Sequence, residues 1–389
     1  MDGAPHTPPQ THSPGALPET SAALLMRRAV RDWLNLHTRA DTRRVAVALS
    51  GGADSLALTA AAVAEADTVD ALVVDHGLQP GSDAVAATAA ATAMRLGCRC
   101  ARVLTVRVGT DGGLEAAARQ ARYAALDVAR SGLPVLLGHT LDDQAETVLL
   151  GLARGSGGRS IHGMAVFVPP WGRPLLDVRR DTTRQFCVDL GIRPYEDPHN
   201  ASPEFTRVRL RTEVLPLLEE ALGGGVAAAL ARTAEHLRED ASVLDALAQE
   251  LLVAAVVDSA RTSAAESPES KVTTGAVPSV GPDAADANAC LRDPASPQEP
   301  AHGAAHTHNA TLSIEILRTA PTALRRRAIR SWLLRGGAKA LTDKHLRAVD
   351  ALVTDWRGQG GVAVGGGTAE ARLVAAREHG RLTLRLRTG

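Results

Sequence analysis

The spacing of apolar residues changes several times along the chain. From Ser21 to about His37, SAALLMRRAVRDWLNLH places them three and four apart, which predicts an amphipathic helix. From Arg43 to about Leu190, short apolar runs (VAVALS, ALVVDHG, ARVLTV and PVLLGH) are separated by Ala-rich helical stretches. Runs without polar alternation belong to strands covered on both sides. Their alternation with helices predicts βαβ units, that is, an α/β fold with a parallel sheet and helices on both faces. Ligands of such sheets collect at the carboxyl ends of the strands. Here those ends carry Ser50, Asp75, His76 and His139.

Beyond the sheet, residues 209–257 read as helical, with LRTEVLPLLEEAL followed by a long Ala/Leu-rich stretch. Residues 311–389 are mixed. IEILRTAPTALRRRAIRSWLLRGG and DKHLRAVDALVTDW predict helices, and EARLVAAREHGRLTLRL predicts strands and a turn, together a small C-terminal α+β domain. Between them, 258–310 is rich in Ala, Ser, Pro, Asp and His and has too few large apolar residues to fold alone, which predicts a flexible insertion. Residues 1–20 hold five prolines and no apolar period, which predicts a disordered tail. The expected division is a tail at 1–20, a sheet domain at 21–208, a helical linking domain at 209–257, the insertion at 258–310 and the C-terminal domain at 311–389.

Composition narrows the function classes. A chain of 389 residues is long enough for two or three domains, and 45% hydrophobic against 22% charged residues fits a globular protein. With only nine Phe, Trp and Tyr residues, base stacking is excluded as the main mode of nucleic-acid binding. No apolar run approaches a membrane span and no basic-then-apolar leader opens the chain, which predicts a cytoplasmic protein without a membrane partner. The four cysteines, Cys98, Cys100, Cys187 and Cys290, lack zinc-site or C-x-x-C spacing and read as small reduced core residues. Net charge is zero, but residues 311–389 hold 15 Lys and Arg against 6 Asp and Glu. That basic module points to a polyanionic partner. Composition sets no oligomeric state.

Two motifs carry chemistry. VALSGGADSLAL is a strand running through Ser50, Gly51 and Gly52 into a helix. Its glycines allow a tight turn with exposed amides, the helix start adds positive dipole, and Ser50 and Ser55 add hydroxyls, the requirements of an anion cradle. Asp54 orients the loop or meets a magnesium ion. Both G-x-x-x-x-G-K-[ST] and G-x-G-x-x-G are absent. The competing reading is a strand–helix turn capped by Asp54 or Ser55. The second motif, GHTLDDQAET, places Asp142, Asp143 and Glu146 in the first turns of a helix after His139, with Asp143 and Glu146 on one face. Such a cluster can hold magnesium, bind an ammonium group or take a proton from an amine, although the helix dipole alone also favours acids there. Between the motifs, Arg119 and Arg122 share a helix face in LEAAARQARYAAL and can meet phosphate or Glu115.

These motifs resemble the bacterial tRNA(Ile)-lysidine synthases, a family of the PP-loop (N-type) ATP pyrophosphatase superfamily. SGGADS matches the superfamily loop. VVDHGL, LEAAARQARYAAL, GHTLDDQAETVLLGLARGSG, IHGM and RPLLDVRR follow the family order over about residues 43–220, with a weaker match over 311–389. The resemblance implies an adenine nucleotide alpha hydrolase-like fold. It also implies ATP-dependent adenylation of the wobble cytidine of isoleucine tRNA with a CAU anticodon, followed by attack of the ε-amine of L-lysine. The implied ATP site is Ser50, Gly51, Gly52, Ala53, Asp54, Ser55, Asp75, His76 and His139, with Mg2+ on Asp54 and Asp142. The implied catalytic residues are Asp54, Arg119, Asp143 and Glu146, and Asp143 and Glu146 also hold lysine. Implied tRNA contacts are Arg122, Arg207, Arg209, Arg211, Arg325, Arg326, Arg327 and Arg330. The arginines at 207, 209 and 211 would share one side of an extended segment, and the family's Asn is Val208 here. The rival readings are a tRNA thiolase of the same superfamily and a tRNA-binding relative without catalysis. The C-x-C far from the loop and the LDDQAET run favour the amine-transferring family.

Overall fold

A computed structural model describes residues 17–39, 41–109, 113–155, 158–197, 204–257, 311–368 and 370–388. The predicted insertion and residues 1–16 of the predicted tail lie outside the described residues. The last residues of that tail belong to the fold: Leu17 packs against the core, and the Thr20 hydroxyl accepts the Ala23 amide at 3.2 Å, capping the first helix. The chain divides into two compact units, Met1–Leu237 and Arg238–Gly389.

The first unit is built on β1 (Arg44–Ala48), β2 (Thr68–Asp75), β3 (Cys100–Thr105), β4 (Val135–Leu136), β5 (Phe167–Val168) and β6 (Trp171–Gly172). Its sheet order is β3-β2-β1-β4-β6-β5, parallel throughout except for the β5–β6 edge. Helices α1 (Ser21–His37), α2 (Ala53–Glu65), α3 (Ser82–Leu96), α4 (Leu114–Ala129), α5 (Leu141–Arg154) and α6 (Arg180–Asp189) surround it. Successive strand residues point to opposite faces, so the continuous apolar runs supply two cores. Val45, Val47, Val69, Ala71, Val73 and Leu136 pack with α1, α2, α3 and α6. Ala46, Leu72, Val135, Leu137 and Trp171 pack with Leu126 and Ala129 of α4. The expected parallel sheet with helices on both faces is therefore what forms. PVLLGH supplies only the two-residue strand Val135–Leu136, although the Leu137 amide still donates to the Gly172 carbonyl at 2.8 Å.

The chain continues through α7 (Thr206–Arg209), a π-helical turn (Leu210–Val214), α8 (Leu215–Ala221) and the long α9 (Val226–Ala255). Leu141 and Ala145 of α5 pack against Leu215, Ala227 and Ala231. In the second unit, β7 (Val256–Val257), β8 (Thr311–Ser313), β9 (Val362–Gly367), β10 (Ala371–Glu378) and β11 (Arg381–Thr388) form an antiparallel sheet of order β7-β8-β11-β10-β9. Helices α10 (Ile314–Thr319), α11 (Thr322–Arg335) and α12 (Asp343–Thr354) close its core around Leu312, Ile329, Leu333, Val349 and Leu382. Pro321 separates α10 from α11, since it supplies no amide to a continuing helix. No single helix among the described residues is long and apolar enough to cross a membrane.

Candidate active site

The loop after β1 has the geometry of an anion cradle. Gly51 turns the chain at φ +83, a conformation that favours glycine. Gly52 is the N-cap of α2 and offers no side-chain cap, so neither Asp54 nor Ser55 closes the helix start. Ser55 Oγ accepts the Ser50 amide at 3.2 Å, lies 3.1 Å from Ser50 Oγ and donates to the Gly52 carbonyl at 2.9 Å, which fixes both hydroxyls at the turn. The Tyr195 amide, beyond α6, donates to the Gly51 carbonyl at 2.9 Å and pins the loop. Gly138, after β4, approaches so closely that a Cβ there would meet the Asp54 carbonyl carbon at 3.0 Å. That approach brings the second motif against the first.

Asp143 divides its two oxygens between structure and site. Oδ2 accepts the Thr140 amide at 2.8 Å and the Thr140 hydroxyl at 2.9 Å, forming a capping box. Oδ1 lies 2.6 Å from Arg180 Nη2. Arg180 also places Nη1 3.4 Å from Glu146 and Nε 3.5 Å from Asp54, so one guanidinium touches all three acids. Glu146 is fully buried and takes a second guanidinium, Arg211, at 2.9 Å and 3.3 Å. Asp54 also accepts the Thr183 hydroxyl. Burial pushes the Asp54 carboxyl above its usual range, against the pull of Thr183 and Arg180. At Asp143 burial acts the same way, but Arg180, Thr140 and His139 outweigh it and hold the carboxyl below its usual range. Arg180 itself is raised: burial opposes its charge, and Asp143, Asp54 and Glu146 more than offset that.

Asp142 stands apart from this group. Its carboxylate accepts the Arg180 amide at 2.8 Å and meets Arg179 at 3.0 Å, tying α5 to the start of α6. Among the described residues no set of three His, Cys, Asp or Glu groups is arranged to hold a metal. Magnesium commonly takes one or two carboxylates and completes its shell with substrate phosphates and water. Asp54, partly open and beside the loop, fits that role. Asp142, with both oxygens engaged by α6, does not fit it.

The remaining predicted nucleotide residues line the carboxyl edge of the sheet. Asp75 accepts the Gly77 amide at 2.9 Å, the main cause of its lowered pKa, and so shapes the turn after β2. His76 and His139 are half-buried, and each has an Nδ1 without a hydrogen-bond partner. Burial pushes the His139 imidazole down to about 3. Arg119 and Arg122 stand beside Tyr123 on α4, Arg119 exposed and Arg122 half-buried.

The 207–211 segment is helical, so the extended chain that would put all three arginines on one side does not form. On a helix Arg207 and Arg211 are one turn apart on a common face, and both turn to Glu146, Arg207 at 3.9 Å. Arg209 faces away and pairs with Glu213 at 3.3 Å. Val208 is buried in the position expected to carry an amide. Sequence reasoning quoted RPLLDVRR without giving Arg180 a role. The available signal was chemical: three acids near one loop require a buried cation.

A family model described as a PP-loop domain matches residues 25–218, and one described as the TilS substrate binding domain matches residues 312–383. A tRNA(Ile)-lysidine synthase from Nocardia farcinica is 65% identical over 361 residues, 93% of this chain and 98% of that relative. One from Rhodococcus erythropolis is 62% identical over 368 residues, 95% of this chain and 97% of the relative. The chain belongs to the tRNA(Ile)-lysidine synthase family. Among solved structures, the U34-tRNA thiolase NcsA from Methanococcus maripaludis is similar over 56% of this chain and 80% of its own, at 18% identity and a TM-score of 0.45.

In this tRNA(Ile)-lysidine synthase family member, the PP-loop match encloses both motifs and the substrate-domain match lies within the second unit. There the structure alters the expected basic surface. Arg325 is buried, with Nε 2.6 Å from Asp350, and Arg326 reaches the same carboxylate at 2.9 Å. Arg327 pairs with Asp245 at 2.6 Å, and Arg330 is half-buried. Helix α11 buries the Arg325 face because Ala328, Ile329 and Trp332 lie beside it in the core. Exposed cations lie elsewhere, among them Arg318, Lys339 and Lys344, and others stand on the sheet. Arg372 and Arg387 are exposed and directly opposite across β10 and β11.

Proposed function

We propose that the protein ligates lysine to C2 of the wobble cytidine of isoleucine tRNA with a CAU anticodon, using ATP and releasing AMP and pyrophosphate. The cytidine O2 attacks the α-phosphorus and the bond to pyrophosphate breaks. The neutral ε-amine of lysine then attacks C2, loses a proton and expels AMP with the C2 oxygen. An amine protonated at neutral pH needs a base at the point of attack. The supporting observation is the contact of Arg180 with Asp54, Asp143 and Glu146 together, which sets a carboxylate pair beside the phosphate loop.

In this reading the amides of Gly51, Gly52 and Ala53, with Ser50 and Ser55, grip the departing pyrophosphate. Asp54 would hold a magnesium ion, which would supply charge neutralisation to the phosphates. Arg119 faces the charge that builds at the transferred phosphoryl group. Asp143 and Glu146 receive the lysine ammonium, and one of them takes its proton. In the described structure both already face Arg180 and Arg211, so lysine displaces the more exposed guanidinium, Arg211. A cavity of about 190 Å³ opens beside them, lined by Asp142, Glu146, Arg179, Arg211 and Glu219, with both signs of charge for the amino-acid end of lysine. In the second unit, Arg372 and Arg387 face the tRNA backbone.

The thiolase reading loses support from the cysteines. Cys187 adjoins the loop through the Ala53 carbonyl at 3.5 Å, but burial pushes its thiol up to about 11, away from a reactive thiolate. Purified protein, ATP, labelled lysine and the tRNA test the proposal: pyrophosphate release and lysine incorporation should match one to one and both require the tRNA. Pyrophosphate release without lysine incorporation would refute it.

A further inference from the structure

Four buried side-chain nitrogens have no hydrogen-bond partner among the described residues: His76 Nδ1, Arg122 Nε, His139 Nδ1 and Arg173 Nε. They belong to one neighbourhood. His76 follows β2, His139 follows β4, Arg173 follows β6, and Arg122 stands on α4. The Arg122 charge acts on His76, and the charges of Arg173, Arg122 and Arg119 all act on His139.

Tyr123 is the hub. Arg119 Nη2 donates to its hydroxyl at 3.2 Å, and Arg122 and Arg173 both interact with the same side chain. Trp171 meets the Tyr123 ring edge-on at 4.7 Å and fixes it against the α4 face of the sheet. Arg173 is only 9% exposed, and its Nη1 donates to the Ala165 carbonyl at 3.0 Å. Arg122 Nε and Arg173 Nε are buried and meet no hydrogen-bond partner among the described residues. That differs from the Arg180 network, where each guanidinium has its acid. A buried cation without a counter-ion is costly unless an anion arrives.

We infer that Arg122 and Arg173, held apart and aimed by Tyr123, bind a phosphoryl group of the nucleotide, with His76 and His139 completing the pocket. Arg173 is then a phosphate ligand and Tyr123 a positioning residue. The inference rests on the reading that the chain cleaves ATP. A nucleotide phosphate is favoured over an RNA phosphodiester by burial: a terminal phosphoryl group exposes several oxygens to a deep guanidinium, whereas a phosphodiester carries a sugar on either side.

Calorimetry on the full chain with ATP, inorganic pyrophosphate and tRNA tests it. Arg173→Gln should weaken ATP and pyrophosphate binding at least ten-fold, and Arg173→Lys should regain part of that. Tyr123→Phe should raise KM for ATP several-fold with tRNA affinity within two-fold, a split that a general loss of folding would not give. Pyrophosphate should raise the melting temperature of the wild type more than that of Arg173→Gln. Unchanged ATP and pyrophosphate affinity in Arg173→Gln would overturn the inference, as would a loss confined to tRNA, which would make the anion an RNA phosphate. Lysidine formation by the wild type is scored separately. A wild type that binds pyrophosphate through Arg173 yet makes no lysidine would leave the pocket standing and remove the wider function.

Discussion

Asp143 has two structural allegiances, and its chemistry follows from their separation. One oxygen caps α5 and the other faces Arg180. Asp143→Asn keeps a cap acceptor but removes the charge facing the amine. Lysine transfer should then fall on the order of 10²-fold, while adenylation, read as pyrophosphate release, falls far less. Equal loss of both steps would place Asp143 on the nucleotide. His139 gives a pH test at the same scale. Its folded pKa, about 3, lies below the 6.5 of an unperturbed imidazole, so below pH 6.5 the unfolded chain takes up a proton that the folded chain refuses. Stability is therefore present above pH 6.5 and drains away as pH falls towards 3. His139→Asn should flatten that loss, seen as a smaller difference between urea midpoints at pH 6.5 and 4.5. An unchanged difference would mean that His139 is protonated in the fold.

At the scale of elements, the close approach of Gly138 to the first turn of α2 joins the two motifs. Gly138→Ala presses a methyl group against backbone at 3.0 Å, where no side chain can rotate away. It should cost about 1–3 kcal/mol in denaturant titration and raise KM for ATP; a neutral result in both would show that the junction can open freely. The strands and helices of the first unit were legible because their apolar periods are unmixed, as in VAVALS and SAALLMRRAVRDWLNLH. The two-residue β5 and β6 were not legible, since two residues have no period and their places are set by pairing, β6 with β4 and β5 with β6. Legibility of the site divides in the same way. Asp54, Asp143 and Glu146 stand in recognisable strings, whereas Arg180 and Arg173 acquire their meaning only from neighbours brought by the fold. Alternation in the RVRLR run would put its three arginines on one side only in an extended chain. Packing of Val208 and Leu215 turned it into a helix and sent Arg207 and Arg211 to Glu146.

Across the whole molecule, charge counts could locate a basic module but could not say which cations it leaves open. Arg325→Ala, by removing one partner of a buried pair, should cost about 3 kcal/mol in thermal or denaturant unfolding. Arg372→Ala and Arg387→Ala should leave stability almost unchanged, weaken tRNA binding and each lower the salt dependence of log affinity by about 1. A stable Arg325→Ala variant with weakened tRNA binding would reverse that assignment. The central claim, that lysine is joined to the wobble cytidine, is tested most directly by nucleoside mass spectrometry of the CAU-anticodon isoleucine tRNA after incubation with ATP and isotope-labelled lysine. The account predicts one labelled lysine on the wobble cytidine, formed only when ATP is present. An unmodified cytidine, or one carrying sulfur in place of lysine, would contradict it.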